Sequence, residues 1–238
     1  MALTLNVRSR GASDASIDVA PKQVILGGFS ARSADERNRH IEELRQLGIE
    51  PPEQVPAFWR VARHLLTTER AIEVQGERTS GEAEYALVAH GGRTYVTVAS
   101  DQTDRELERT SIPRSKQLCP KVLSGTAVPL EELRPKWDEI ELNSDVSADG
   151  DEWLPYQRSR LAELLDPDSL IRASGHANGL PDGSILLSGT VPLVDGVTRY
   201  LPRFRASLTV PDDGPVLELA YRVDILAEIR AQVPGVPS

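Results

Sequence analysis

Two acidic side chains two residues apart suggest the first chemistry in this sequence. Ser80–Val88 reads Ser-Gly-Glu-Ala-Glu-Tyr-Ala-Leu-Val, which places Glu82 and Glu84 in a β-prone apolar run. Residues two apart in a strand point to the same face, so the two carboxylates would lie side by side. They would repel each other unless a positive charge lay between them, and divalent Mg²⁺, Mn²⁺ and Ca²⁺ prefer carboxylate oxygens. The pair indicates a metal site or, as the ordinary alternative, a solvated strand edge.

A second acidic segment follows an apolar run directly. Ser100–Glu108 reads Ser-Asp-Gln-Thr-Asp-Arg-Glu-Leu-Glu, so Asp101 lies at a strand end, where ligands are often presented. Arg105 follows one helical turn later. The ordinary alternative is the start of a charged helix, with Asp101 or Thr103 as its N-cap.

Two further segments carry polar groups that suit an anionic intermediate. Lys116 is one of only 4 lysines in a chain that holds 23 arginines, so it is a less common choice for surface charge. A lysine near a developing enolate would supply positive charge where negative charge forms. The run Pro181–Pro192 leads from a turn through an apolar strand to Gly189 and Thr190. Glycine allows a close approach to the backbone, and threonine offers a hydroxyl. Taken singly, these segments also fit a surface lysine and a common strand exit.

The order of these segments resembles the fumarylacetoacetate hydrolase superfamily. That family has a Glu-x-Glu strand, an Asn-Asp-x-Ser-Ala-Arg-Asp-Leu-Gln segment, a Lys-Ser-Phe-Asp segment and a Pro-Gly-Asp-x-Ile-x-Thr-Gly-Thr-Pro strand. The resemblance covers about residues 21–225. It implies that Glu82, Glu84 and Asp101 hold Mg²⁺ or Mn²⁺, with Ca²⁺ as a further option. It also implies catalysis by Lys116 and substrate contacts by Gly189 and Thr190. Arg105 is expected to pair with a carboxylate beside the metal ligands or to contact the substrate.

The resemblance extends more loosely to the N-terminal part. The family has a short His-x-x-Glu helix there, and His40 and Glu43 match it here. Residues three apart on a helix can meet, so Glu43 could orient His40. In the family such a dyad activates water, and the ordinary alternative is a surface histidine paired with a carboxylate. Departures include the 17 residues from Glu84 to Asp101, where the family inserts a helix, and Phe29-Ser30 in place of Asn-Tyr. These departures line the expected pocket, so they bear on the identity of the substrate more than on the metal ligands.

The activity that the resemblance implies is metal-dependent hydrolysis of a C–C bond in a 3-acylpyruvate-like substrate, that is, a 2-keto acid or 1,3-diketone. A decarboxylase, or an isomerase or tautomerase of a keto or hydroxy-dienoic diacid, could use the same metal site. An alternative of another class is a non-catalytic keto-acid-binding protein. The sequence leaves open the exact substrate, the native metal and the choice among these reactions.

Composition excludes several other classes of function. The 238 residues carry 27 Lys+Arg and 36 Asp+Glu, a net charge of −9, which argues against binding to nucleic acid or to an anionic membrane. No apolar run approaches the roughly 18 residues of a membrane span, and no signal peptide is visible. A single cysteine excludes an internal disulfide and a thiolate-rich zinc site. We expect a cytoplasmic protein with a small keto acid as partner, and the resemblance implies a homodimer.

The predicted fold is α+β and mostly β. The resemblance implies a fumarylacetoacetase-like mixed β-sandwich/β-roll core with a small helical N-terminal lobe. Three regions follow: residues 1–20 as a tail or edge strand, 21–70 as a lobe with two helices, and 71–238 as the β-rich catalytic core. The two helices are expected at about 33–47 and 56–67, and 157–165 also fits a helix. The predicted strands are 24–29, 72–75, 82–89, 94–99, 184–187, 205–210 and 216–223.

Overall fold

Two packed sheets form most of the molecule. The computed structural model describes residues 2–10, 15–35, 37–38, 41–42 and 51–227. The strands in the first half are β1 (Leu3–Val7), β2 (Ala15–Val19), β3 (Gln23–Gly28), β4 (Ala57–Val61), β5 (Leu66–Thr67), β6 (Ala71–Val74), β7 (Thr79–Ser80), β8 (Ala83–His90) and β9 (Arg93–Asp101). The remaining strands are β10 (Thr103–Asp104), β11 (Lys121–Leu123), β12 (Thr126–Pro129), β13 (Glu141–Ser147), β14 (Leu154–Arg160), β15 (Ser184–Leu187), β16 (Arg203–Thr209) and β17 (Val216–Ile225).

Four short helices lie between strands in the continuous described range 51–227. They are α1 (Arg105–Glu108), α2 (Ile112–Leu118), α3 (Leu130–Leu133) and α4 (Pro167–Ala173). None of the helices in the described ranges has the length and apolar character that a membrane-spanning helix needs. The mostly β class predicted from the sequence is therefore confirmed.

The larger sheet has ten strands, with the order β2-β1-β12-β9-β8-β15-β3-β4 and with β11 and β5 attached beside β9. Its central hairpin joins β8 to β9 through Gly91 and Gly92, whose φ angles are 60° and 71°. Such a two-residue turn matches the twist of the strands and favours glycine at both positions. The turn fixes the pairing of Ala83 with Ser100 and of Glu84 with Ala99.

The smaller sheet has five strands, in the order β14-β13-β16-β17-β6. Side chains that alternate along β8 divide between two cores, because successive residues of a strand point to opposite faces. Tyr85 and Leu87 belong to the core shared with the five-stranded sheet. Ala86 and Val88 belong to a second core with β1, β3 and β15. Strand β8 is thus buried on both faces, and any polar side chain on it needs a partner.

The prediction of a helix over residues 56–67 is wrong. The chain there forms β4, a 3-10 turn over Arg63–Leu65, and β5. Strand β4 pairs antiparallel with β3, from Val24 opposite Val61 to Gly28 opposite Ala57. The apolar spacing fits a helix, but the free backbone groups along β3 need a neighbouring strand, and this requirement decides the structure. Within the predicted first helix, the described residues at 34–35, 37–38 and 41–42 are helical.

The fit of residues 157–165 to a helix is also overturned. Most of this segment belongs to β14 and to a 3-10 turn over Leu161–Glu163. Its polar residue Gln157 is buried, because β14 lies between β13 and a bridge to Leu193. Near the start of the sequence, β1 and β2 pair antiparallel, and β2 is the edge strand of the larger sheet.

Candidate metal centre

Strand register brings the three predicted carboxylates to one face. In the β8–β9 hairpin the backbone N–H of Asp101 donates to the carbonyl of Glu82, so these residues lie opposite each other. Glu84 lies two residues along β8 and opposite Ala99. All three side chains therefore share the face of Ala86 and Val88, as the period of two requires. One oxygen of each carboxylate lies within 4.8 Å of one oxygen of the other two.

Two of the three carboxylates are buried and the third is largely shielded, which rules out the solvated strand edge. Asp101 is 0% exposed and Glu84 is 1% exposed, while the Glu82 side chain is 12% exposed. Buried charges persist only when they are paired or bound to metal. The surrounding side chains therefore decide what this cluster can do.

Lys116 lies between two of the carboxylates. Its Nζ donates to Asp101 Oδ2 at 2.6 Å and to Glu82 Oε2 at 3.0 Å. Helix α2 positions it, with Ser111 as N-cap and Pro113 in the first turn, where a missing N–H costs nothing. The ammonium is almost fully buried. An ammonium has three donors, and these two bonds use two of them.

Arg105, for which the sequence left open a carboxylate partner or a substrate contact, is paired with carboxylates of the protein itself. Its guanidinium contacts Glu82 Oε1 at 3.0 Å, Glu108 Oε2 at 2.9 Å and Ser80 Oγ at 2.7 Å. It starts helix α1, whose N-cap is Asp104, and the Asp104 carboxylate accepts from the N–H groups of two following residues. The alternative that named Asp101 or Thr103 as the cap is therefore wrong.

Lys121 is a residue of this cluster that the sequence did not reveal. Strands β9 and β11 pair so that Lys121 lies directly opposite Asp101. Its Nζ contacts Asp101 Oδ1 at 2.7 Å and the carbonyl of Gln102 at 2.7 Å, and the side chain is 0% exposed. The scarcity of lysine, together with the placement of Lys121 before the apolar Val122 and Leu123, was the available signal.

Glu84 is the least compensated carboxylate. Its Oε2 accepts from the backbone N–H of Gly189 at 2.8 Å, whereas its Oε1 is buried and has no hydrogen-bond partner among the described residues. Gly189 has a φ of 89°, and a Cβ there would lie 2.5 Å from Ser30 Oγ. Glycine is required here by the backbone, and the strand exit presents its N–H to the carboxylate.

The pKa values of the two glutamates are driven apart by their neighbours. Burial alone would raise the pKa of Glu82, but the charges of Arg105 and Lys116 outweigh it and lower that pKa to about 2. Burial, together with the nearby charge of Asp101, raises the pKa of Glu84 well above its usual range. The same carboxylates raise the pKa of Lys116 despite its burial. The two glutamates therefore differ: the lowered pKa of Glu82 favours its ionised form, and the raised pKa of Glu84 favours its protonated form.

Thr190 is fixed by a glutamine from the other sheet. Its Oγ1 donates to the carbonyl of Ala83 at 3.0 Å and accepts from Gln157 Nε2 at 2.7 Å. Gln157 Oε1 in turn accepts from the N–H of Ala83 at 3.0 Å and from Ser144 at 2.8 Å. Gln157 therefore joins the two strand ends that carry the carboxylates and the glycine. It was not foreseen, because its segment fitted a helix in sequence.

The predicted dyad of His40 and Glu43 lies outside the described residues. The other seven predicted site residues all lie in or beside one cluster, and they are Glu82, Glu84, Asp101, Arg105, Lys116, Gly189 and Thr190. The donor set suits a hard divalent cation, because carboxylate oxygens are the ligands that Mg²⁺ and Mn²⁺ prefer. One oxygen of the triad, Glu84 Oε1, is buried and has no partner among the described residues. The triad can therefore hold such a cation.

Comparison with solved structures defines the fold. A hexagonal crystal form of 2-keto-3-deoxyarabinonate dehydratase is similar with a TM-score of 0.62 and 16% identity, over 91% of this chain and 78% of that one. A structure of Cg1458 with an inhibitor has a TM-score of 0.63 and 15% identity, over 91% and 84%. A 2-keto-3-deoxy-D-arabinonate dehydratase complexed with magnesium and 2,5-dioxopentanoate has a TM-score of 0.60 and 18% identity. The match covers 87% of this chain and 74% of that one. The chain thus has the fold of the fumarylacetoacetate hydrolase superfamily.

The sequence family is narrower than the fold. Residues 27–221 match the family described as "Protein of unknown function (DUF2848)", and the chain belongs to that family. None of the curated proteins matches the chain in sequence.

Proposed function

We propose that the protein is a divalent-metal-dependent enzyme that processes a 2-keto acid or a 1,3-diketone. The observation that carries this proposal is the buried triad, in which Glu84 Oε1 has no partner among the described residues. Such an orphaned buried oxygen is costly unless a ligand satisfies it. Support also comes from the magnesium and 2,5-dioxopentanoate in the dehydratase with the same fold.

Each residue of the cluster has a role in this proposal. A cation held by Glu82, Glu84 and Asp101 would polarise a substrate carbonyl and favour an enolate. Lys116 would direct an N–H to the oxygen on which negative charge develops. Arg105 would keep Glu82 ionised and oriented through their 3.0 Å contact. The neighbourhood of Gly189 and Thr190 would contact the substrate carboxylate.

For the reaction we propose hydrolysis of a C–C bond in a 3-acylpyruvate-like substrate. It needs a base for water, and His40 oriented by Glu43 is the candidate in the sequence. Decarboxylation, isomerisation or tautomerisation would need no base for water. Dehydration is a further candidate reaction, because two of the similar structures are keto-acid dehydratases. His40→Ala should abolish hydrolysis of an acylpyruvate. Turnover that persists in this variant would favour one of the other reactions.

The first experiment measures divalent-metal binding by calorimetry, with Mg²⁺ and Mn²⁺ in turn. The wild type should bind in the micromolar to millimolar range, and Glu84→Gln should lose binding because an amide cannot replace the carboxylate charge. Glu218→Gln, which changes an exposed glutamate of β17, is the matched control and should bind as the wild type does. A wild-type protein that binds neither cation would end the metal proposal.

The second experiment assays the metal-loaded protein on a panel of acylpyruvates, 2-keto acids and 3-deoxy-2-keto acids. Turnover of any of these supports an enzyme and identifies the reaction. Tight binding of oxalate or pyruvate without turnover across the panel would instead favour the non-catalytic keto-acid-binding protein.

We further propose a homodimer and a cytoplasmic location. Both are expectations carried over from the sequence and from the resemblance. Light scattering on the eluting protein tests the first, with a particle of twice the 26.1 kDa chain mass as the expected result. Microscopy of the fluorescently tagged protein in its native cell tests the second.

A further inference from the structure

We infer that Lys121 is a positioning residue that restricts Asp101 to one ligating oxygen and thereby makes the centre select a small six-coordinate cation over Ca²⁺. The inference rests on the proposed metal-dependent function and deepens it. It concerns a residue outside the predicted site, placed by a strand pairing that is not local in the sequence.

Each carboxylate of the triad has one oxygen held by a protein donor of its own. Glu82 Oε1 is held by Arg105 at 3.0 Å, and Glu84 Oε2 by the N–H of Gly189 at 2.8 Å. Asp101 Oδ1 is held by Lys121 at 2.7 Å. Three other oxygens remain for a ligand, and they are Glu82 Oε2, Glu84 Oε1 and Asp101 Oδ2.

The two lysines on Asp101 differ in how firmly they are held. Lys121 is the first residue of β11, which lies between β9 and β5. Its Nζ also donates to the carbonyl of Gln102 at 2.7 Å. Lys116 lies near the end of the seven-residue helix α2, and its Nζ contacts two oxygens of the remaining three. An entering cation would therefore displace Lys116 from those oxygens and leave Lys121 in place.

Coordination chemistry connects this arrangement to selectivity. Ca²⁺ takes six to eight oxygen ligands, often with bidentate carboxylates, whereas Mg²⁺ demands near-octahedral geometry and keeps several waters. A triad limited to one oxygen from each carboxylate offers few protein ligands and leaves positions for water and substrate. Without Lys121, Asp101 Oδ1 would keep only the 3.5 Å contact from the Thr103 hydroxyl, and the aspartate could turn or bind through both oxygens. The centre would then accommodate the larger ion.

The test compares Mn²⁺ and Ca²⁺ affinities of the wild type and of Lys121→Met by calorimetry. Methionine keeps the length and most of the volume of lysine but removes the ammonium. We expect Mn²⁺ affinity to fall on the order of tenfold or more, as for other residues that orient metal ligands, and Ca²⁺ affinity to fall less or to rise. The ratio of the two constants should therefore shift toward Ca²⁺ by roughly tenfold. Lys136→Met removes a surface lysine that pairs with Asp212 and should leave the ratio unchanged.

A second variant and a second measurement cover the case in which methionine prevents folding. Lys121→Gln retains a donor for the carbonyl of Gln102 without the charge, and circular dichroism establishes which variants are folded. Mn²⁺ electron paramagnetic resonance reports the symmetry of the bound ion and should broaden in the variant, which a purely structural role far from the ion would not cause. If neither variant folds, the wild type alone decides, because equal affinity for Mn²⁺ and Ca²⁺ would overturn the inference.

The failures of the two proposals are distinguishable. A wild type without any bound divalent metal ends the proposed function and this inference together. A wild type that binds Mn²⁺, with a folded Lys121→Met variant of unchanged selectivity, ends the inference alone.

Discussion

At the residue scale, charge around the candidate metal centre is balanced within the protein. Glu82, Asp101 and Glu108 pair with the cationic side chains of Arg105, Lys116 and Lys121, while the raised pKa of Glu84 favours its uncharged form. Buried ions are tolerated when such pairing compensates their lost hydration. A divalent cation would add two positive charges to this cluster, and an anionic keto acid would offset them. The charge balance therefore fits an anionic substrate that binds together with the cation.

Cys119 gives a prediction at this scale that is independent of the metal. Burial raises the pKa of its thiol to about 12. At pH 8 the thiolate fraction should then be on the order of 10⁻⁴, roughly a thousandfold below that of an exposed cysteine. Since this pKa lies above the working range, modification by a thiol reagent should accelerate about tenfold per unit between pH 8 and 10.

The measurement follows absorbance after addition of a disulfide reagent to the native protein. Protein unfolded in guanidinium is the control and should release one equivalent, because the chain has a single cysteine. Fast reaction of the native protein at pH 8, with a plateau near pH 9, would contradict the buried environment.

The residues of the cluster differ in how far sequence could foresee them. Glu82 and Glu84 were foreseeable because a period of two is a local property of one strand. Asp101 was foreseeable as a strand end. Lys121 was not, because its contact with Asp101 depends on β11 pairing with β9 and on which residue lies opposite which. Gln157 was missed for the same reason, since it acts across the two sheets.

At the element scale, the β8–β9 turn determines whether the triad forms. The register that pairs His90 with Arg93 continues to place Glu84 opposite Ala99 and Asp101 beside Glu82. A slip of one residue would send the carboxylates to opposite faces. The turn itself is therefore part of the site, although it lies at the far end of the hairpin.

Replacement of Gly91 and Gly92 by alanine tests this dependence. Both glycines have positive φ, and a Cβ at either position would meet nothing within 4 Å, so the cost is conformational alone. We expect about 1 kcal/mol for each residue, and thus a melting temperature lower by roughly 4–8 °C for the double variant. Gly125→Ala is the matched control, because position 125 also has open space but no positive φ. Thermal unfolding followed by circular dichroism gives the result, and equal shifts in both variants would refute the argument.

Most elements of the sheets were predictable, and the errors share a cause. The strand at 184–187 was predicted with its observed bounds, because an apolar run of that length between turn residues is typical of a buried strand. Residues 56–67 and 157–165 were assigned to helices from the spacing of apolar residues. In both, backbone pairing with the preceding strand outweighed that spacing, as β4 beside β3 and β14 beside β13 show.

At the scale of the whole molecule, both sheets support the centre, although the triad points to the face of β8 that lies away from the five-stranded sheet. Gln157 from the five-stranded sheet holds Ala83 and Thr190 of the chain that carries the triad. Tyr221 of β17 donates to Gln102 at 2.7 Å and contacts Ser100 at 2.8 Å, next to Asp101. Unfolding of either sheet would therefore disrupt the cluster, and a ligand of the cluster should stabilise both.

Metal binding should accordingly raise the stability of the entire fold. A ligand that binds only the native state at 100 times its dissociation constant adds about 2.7 kcal/mol. For a chain of this length that corresponds to a melting temperature higher by roughly 5–10 °C, in one transition shared by near- and far-UV circular dichroism. Removal of the cation with EDTA should reverse the shift, and Glu84→Gln should show none. Two separate transitions, with only one moved by Mn²⁺, would mean that the sheets unfold independently and that the centre belongs to one of them.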